Sequence, residues 1–222
     1  IKRVGDSYGW NIWEIKAAAK AGRSLDSALA FAARKNVEEL VDEYLSWGST
    51  KFSLTGLLTI ASGTTAYSPS TKSGGGITWA NATGQEMADE LMAMANGIVT
   101  ATVGKFTRFR VALPIALYNR LAITRVGALD GTTALNFVKA TSPFISSIEP
   151  WFRCTGVPGV STTTNRIVMW ADDPAVVGAL VPQEFTTLPA EQRNLEYVVN
   201  CVASVGGIVT RYPLAISYAS EV

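Results

Sequence analysis

Asp172 and Asp173 stand side by side before Pro174, and such a carboxylate pair could serve glycoside hydrolysis or hold a hard metal ion. The simpler reading is local: Asp173 as a helix N-cap with Pro174 at the first helical position. The chain has no histidine, which removes the commonest general base and metal ligand, together with every Ser-His-Asp and Cys-His arrangement. Ser73-Gly74-Gly75-Gly76 lacks the Gly-Lys-Ser/Thr order of a phosphate loop, and Trp79 stands where a dinucleotide fingerprint needs its last glycine. Cys154 and Cys201 are too few for a disulfide scaffold or a zinc site, and Cys201 shares a strand face with Tyr197, Val199 and Ala203, as a buried inert thiol would. No catalytic, cofactor-binding or metal-ligating residue is assigned, no cofactor is expected, and an enzyme is not.

The remaining candidates concern binding. Lys105, Arg108, Arg110, Arg120 and Arg125 form a mild basic cluster, read as a solvated or intersubunit salt-bridge face in preference to a DNA contact. Lys+Arg 19 against Asp+Glu 18 gives a net charge of +1, so any contact with DNA should be weak and non-specific. The tryptophans at 10, 13, 47, 79, 151 and 170 are scattered, which suits core or interface anchoring better than a ligand cage.

Composition sets the frame for these residues. A hydrophobic share of 48% in 222 residues supports a buried core in one or two domains. Charged residues make up only 17%, below the usual quarter or so, and the mean hydropathy is +0.19. Apolar surface is therefore expected to be buried between subunits. No apolar run is long enough to span a membrane, and no signal peptide is read near Ile1. A soluble intracellular protein with no membrane partner is the expectation.

Asn11 and Glu14 make a capping box for a short helix through Ala21, closed by Gly22. Leu25, Leu29, Ala33, Val37, Leu40, Val41 and Tyr44 recur at helical spacing, predicting a continuous helix from Ser24 to Trp47, about 35 Å long, with Leu29, Val37 and Val41 buried. The stretch from Ser62 to Gly76 reads as an exposed, flexible loop. Thr83 and Glu86 cap a helix with Met87, Leu91, Met94 and Ile98 on one side, running until Gly104. A strand is predicted over 106–113, a helix from Pro114 and another capped by Thr132 or Thr133 and stopping before Pro143. Further strands are predicted over 144–148, 166–170, 196–205 and 208–218, with Gly206-Gly207 as a bend or hairpin turn. The class is α+β.

The order of these features resembles the major capsid proteins of tailed double-stranded DNA bacteriophages, in a prophage-type branch, over nearly the whole chain. The resemblance rests on Trp13-Glu14-Ile15 to Ala21-Gly22 leading into a long helix, then on Phe52 to Thr59 with Gly56-Leu57-Leu58. It continues in Arg110-Val111-Ala112-Leu113-Pro114 with Tyr118 and Leu121, in Trp170 with Asp173-Pro174, and in the ending from Gly207 through Arg211-Tyr212-Pro213-Leu214 to Tyr218. It implies the phage major capsid fold, with residues 1–62 as a peripheral domain holding a long spine helix, 63–185 as an axial mixed α/β domain, and 186–222 as returning strands of the peripheral domain. Members carry an N-terminal arm and an extended two-stranded loop before the spine helix, whereas only Ile1 to Arg23 precede Ser24 here.

Function follows from the same resemblance: a head subunit that self-assembles through pentamers and hexamers into an icosahedral shell around phage DNA. Scaffolding and portal proteins are the further partners implied, and the virion capsid, reached from the host cytoplasm, is the location. The alternatives are an encapsulin-like compartment shell and, from another class, a carboxylate-dependent enzyme using Asp172 and Asp173. The enzyme would need both side chains to converge in one pocket.

Overall fold

The Asn11 side chain accepts a hydrogen bond from the backbone of Trp13 at 3.0 Å while Glu14 accepts from the Asn11 backbone at 3.1 Å, so the expected capping box turns an N-terminal strand into a helix. In the computed structural model, which describes residues 1–22, 27–60, 63–127, 131–158 and 165–220, the first strand is β1 (Lys2–Asn11), followed by α1 (Ile12–Lys20), α2 (Ala28–Ser46), β2 (Gly48–Ser49) and β3 (Leu54–Thr55). Next come β4 (Thr65–Ala66), α3 (Gly84–Ala101), β5 (Phe109–Leu113), α4 (Ile115–Ile123), α5 (Ala134–Thr141), β6 (Ile145–Pro150) and β7 (Arg166–Ala171). The chain closes with β8 (Val177–Leu180), β9 (Gln183–Thr187), β10 (Glu191–Arg193), β11 (Glu196–Val205), β12 (Gly207–Thr210) and β13 (Ile216–Ser220). It divides into two compact units, Ile1–Gly56 with Ala179–Ile208, and Leu57–Gly178 with Val209–Val222.

Unit 1 is a small antiparallel sheet with a helix laid on it. β1 pairs with β11 along its whole length, from Lys2 opposite Val205 to Asn11 opposite Glu196. On its other side β11 meets β10 through a tight turn at Asn194, whose positive φ of 55° asparagine tolerates, and β9 beyond it. The core is slender: Val4, Val37, Leu54, Ala203 and Val205, with Val41, Tyr44, Leu45, Phe52 and Phe185 partly buried against it. Val37 is buried as predicted, Val41 only partly, and Leu29 is not, being 44% exposed because no described residue of unit 1 covers the first turn of α2. α2 is unbroken from Ala28; the predicted start at Ser24 lies outside the described residues. Gly206-Gly207 is a bend and not a hairpin turn, since β12 pairs with β8 and not with β11. Gly207 has φ +79°, and a Cβ there would stand 2.6 Å from the Thr55 carbonyl, so only glycine fits.

Unit 2 is built on a five-stranded mixed sheet in the order β4-β13-β7-β5-β6. β5 runs parallel to β6 and antiparallel to β7, which runs antiparallel to β13. Phe109, Val111, Leu113, Ile167, Val168, Met169 and Ile216 from these strands are buried, with Met87, Leu91, Met94 and Ile98 of α3. The Thr83–Glu86 capping box starts α3 as expected. Thr133, one of the two predicted caps, starts α5, which ends at Thr141 before Pro143. β13, part of the expected returning segment 186–222, belongs to this sheet, so the compact units do not follow the 63–185 and 186–222 segmentation. The Tyr218 hydroxyl donates to the Leu57 carbonyl at 2.5 Å, and the half-buried Arg166 donates to Leu58, fixing the start of the unit.

Candidate functional site

The residues flagged for chemistry do not converge. Asp172 accepts from the Arg110 guanidinium at 2.8 Å. Asp173 turns back to its own backbone, accepting from the Ala175 N–H at 2.8 Å, and caps a turn instead of the expected helix. Val176, Val177 and Gly178 supply the reason: β-branched residues and a glycine do not propagate a helical turn. An open depression of about 330 Å³ lies around Arg110, Trp170, Asp172 and Pro174, but one carboxylate there is in an ion pair and the other in a cap. Among the described residues, no three of His, Cys, Asp and Glu gather as a metal site. Cys154 and Cys201 are both free and buried; burial pushes the Cys154 thiol up to about 12 and raises Cys201 as well, with Asp6 adding to the effect.

The basic cluster disperses in the fold. Lys105 sits 4.0 Å over the Tyr212 ring, Arg110 holds Asp172, and Arg120 donates to the Ala80 carbonyl at 2.6 Å. Three of the five cations are thus taken up in separate intramolecular contacts.

A polar centre absent from the sequence reading lies inside unit 2. Glu90 is 4% exposed and Lys72 3%, and the two form an ion pair. The other Glu90 oxygen accepts from the Trp79 indole at 2.5 Å, and the Ser70 backbone adds a third donor at 3.2 Å. Burial first, and the Glu90 charge second, raise the Tyr67 hydroxyl above its ordinary range. One carboxylate thereby gathers donors from across 67–79 and ties down the middle of a loop expected to be exposed throughout. Its end at Ser62 lies outside the described residues. The sequence did carry a signal: Glu90 sits three residues after Met87 and four before Met94, inside the apolar stripe, where a charge demands a partner.

Uncovered apolar surface is the other feature of both units. In unit 1, no residue of α1 is buried and Trp13 is exposed. Phe31, on the outward side of α2, is 69% exposed. A groove of about 340 Å³ between α2 and β9 is floored by Val37, Val41, Leu45 and Phe185. In unit 2, Ile115 and Ile123 are exposed on α4, Ile123 at 77%. Such apolar surface suits association between proteins.

A mixed helix-and-sheet architecture that leaves large apolar side chains uncovered in both units suits a subunit that associates with other proteins. The chain belongs to the major capsid protein family, whose sequence model matches residues 1–222. Solved structures agree on the fold. The capsid of Myoviridae Phage XM1 superposes with a TM-score of 0.80 at 18% identity, covering 100% of this chain and 73% of that one. A virus-like particle from Pyrococcus furiosus follows at 0.66 and 16%, covering 99% and 76%. Mycobacterium phage Che8 gives 0.54 and 14%, covering 98% and 70%. No curated protein matches the chain in sequence. The fold is that of phage major capsid proteins, and the protein is a capsid subunit.

Proposed function

We propose that this subunit forms the pentamers and hexamers of an icosahedral phage head that encloses double-stranded DNA. The family match over residues 1–222 carries this reading. In it, unit 1 is the peripheral domain with α2 as its spine helix, and unit 2 is the axial domain. Scaffolding and portal proteins are its assembly partners in the host cytoplasm, DNA is touched weakly, and no catalytic role is assigned. The uncovered apolar residues of both units support the reading, since shell subunits need interfaces on several sides. The likeness to the Pyrococcus furiosus virus-like particle favours, as a second reading, a compartment shell of encapsulin type.

Expression of the full chain, followed by light scattering and negative-stain microscopy, tests both. Closed particles of uniform size are the expected outcome, and material that stays dispersed at every salt concentration would remove the shell reading. Particles made beside the neighbouring genes that hold nuclease-protected DNA support the head; particles holding an enzyme instead support the compartment.

A further inference from the structure

α3 ends in a Schellman motif with an unusual residue in its key position. The Gly104 N–H donates to the Val99 carbonyl at 2.8 Å and the Val103 N–H to the Thr100 carbonyl at 3.1 Å. These are the two bonds that close such a terminus, and the residue that donates the second of them must be left-handed. That residue is Val103, at φ +52°, with the glycine one place later. Among the described residues two other non-glycines have positive φ, Ser53 and Asn194, and neither is β-branched. A β-branched side chain is the costliest kind to hold there.

The fold of the isolated subunit gains nothing in return, because the Val103 side chain is 92% exposed. Strain kept at an exposed apolar residue points to a use outside the subunit. We propose that Val103 is a contact knob that inserts into a second copy of this chain in the assembled particle. The inference rests on the capsid reading. Its occupant is a second copy because the family's members associate with themselves, and because one side chain repeated at every copy of a symmetric assembly acts many times over. An uncharged knob suits a protein surface better than phosphate. The neighbouring Lys105 is already engaged over Tyr212.

Val103→Asn separates the two roles, since asparagine tolerates the left-handed region and has no apolar surface to insert. The thermal midpoint of the dissociated subunit should rise by about 2–4 °C, while the concentration needed for assembly should rise by roughly tenfold or more. Val103→Cys gives a second readout, because both native thiols are buried: maleimide should label it freely in dissociated subunits and slowly in particles. Val103→Asn that assembles like the wild type, or Val103→Cys labelled equally in both states, overturns the knob and leaves the capsid reading standing. Normal assembly with altered DNA retention would reassign the residue to nucleic acid and also overturn it. A wild-type chain that never assembles removes the capsid reading and the knob with it.

Discussion

Unit 1 and unit 2 are comparable in secondary structure but not in core. The largest fully buried side chains, including Trp79, Phe109, Met87, Leu91, Met94, Leu121, Ile167 and Ile216, all belong to unit 2. Unit 1 buries only small or medium side chains, a few valines with Leu54, Ala33, Ala203 and Cys201, and its bigger apolar groups are half covered. At about 1.5–3 kcal/mol for each fully buried aliphatic or phenyl side chain, unit 2 holds itself together and unit 1 holds itself only weakly. The lesson concerns assembly: unit 1 should draw part of its stability from neighbouring subunits. In the dissociated subunit its amides should exchange with solvent well before those of α3 and β5, and should gain protection in particles. Equal exchange in the two units would break the comparison.

The largest single effect is expected at the buried ion pair of unit 2. Glu90→Ala leaves the Lys72 ammonium without its counter-ion and takes an acceptor from Trp79 and Ser70. The cost should be about 3–5 kcal/mol, read as a lower denaturant midpoint for the unit 2 transition. Adding Lys72→Met should recover only part of that, because the indole and backbone donors stay unsatisfied. In unit 1, Val37→Ala removes a side chain that is 1% exposed, but from a core that can close around the gap. About 1–2 kcal/mol is expected, at the low end for core truncations. A Val37→Ala effect as large as that of Glu90→Ala would show unit 1 to be as tightly built as unit 2.

The capping boxes give a smaller and cleaner contrast, because the same device starts a helix in each unit. Thr83 caps α3, which buries eight of its residues; Asn11 caps α1, which buries none. Thr83→Ala should destabilise unit 2 by about 1 kcal/mol, seen as a shift of its midpoint. Asn11→Ala should fray α1 in hydrogen exchange and leave that midpoint unmoved.

These caps were legible in the sequence because their signals are local. Asn11 with Glu14, Thr83 with Glu86, and Thr133 before Pro143 each declare a helix end within a few residues. The long helix was legible from its period, but the cover over Leu29 was not, since burial depends on what packs opposite. The pairing of β1 with β11 joins residues as far apart as Lys2 and Val205, and no local pattern carries such a contact. Asp173-Pro174 misled for the opposite reason: a good cap signal stood before residues that do not continue a helix. The buried pair was half legible, Glu90 from its place among methionines and leucine, Lys72 not at all within its run of glycine, serine and threonine. Val103 was hidden because a valine before a glycine looks ordinary until its φ is known.

The smallest effect is electrostatic and sharpens the contrast between the two caps. Glu86 accepts from the Thr83 N–H and the Ser73 N–H, each at 2.7 Å, so it ties α3 to the loop that also carries Lys72. Glu14, at the matching place in α1, accepts from the Asn11 N–H at 3.1 Å. The Thr83 and then the Ser73 backbone hydrogen bonds hold the Glu86 carboxyl down at about 2, against an ordinary 4.5. Because the folded value lies below the unfolded one, ionised Glu86 favours the folded state at every pH above about 4.5, and that contribution fades as the pH falls from 4.5 through 2. Glu86→Gln cannot ionise, so the acid slope of the unit 2 midpoint should be shallower in the variant between pH 4.5 and 2. The two curves should draw together as the pH approaches 2. Parallel curves across that window would mean that Glu86 is not held by these two backbone groups in solution, and that the loop from 67 to 76 is fastened by Glu90 alone.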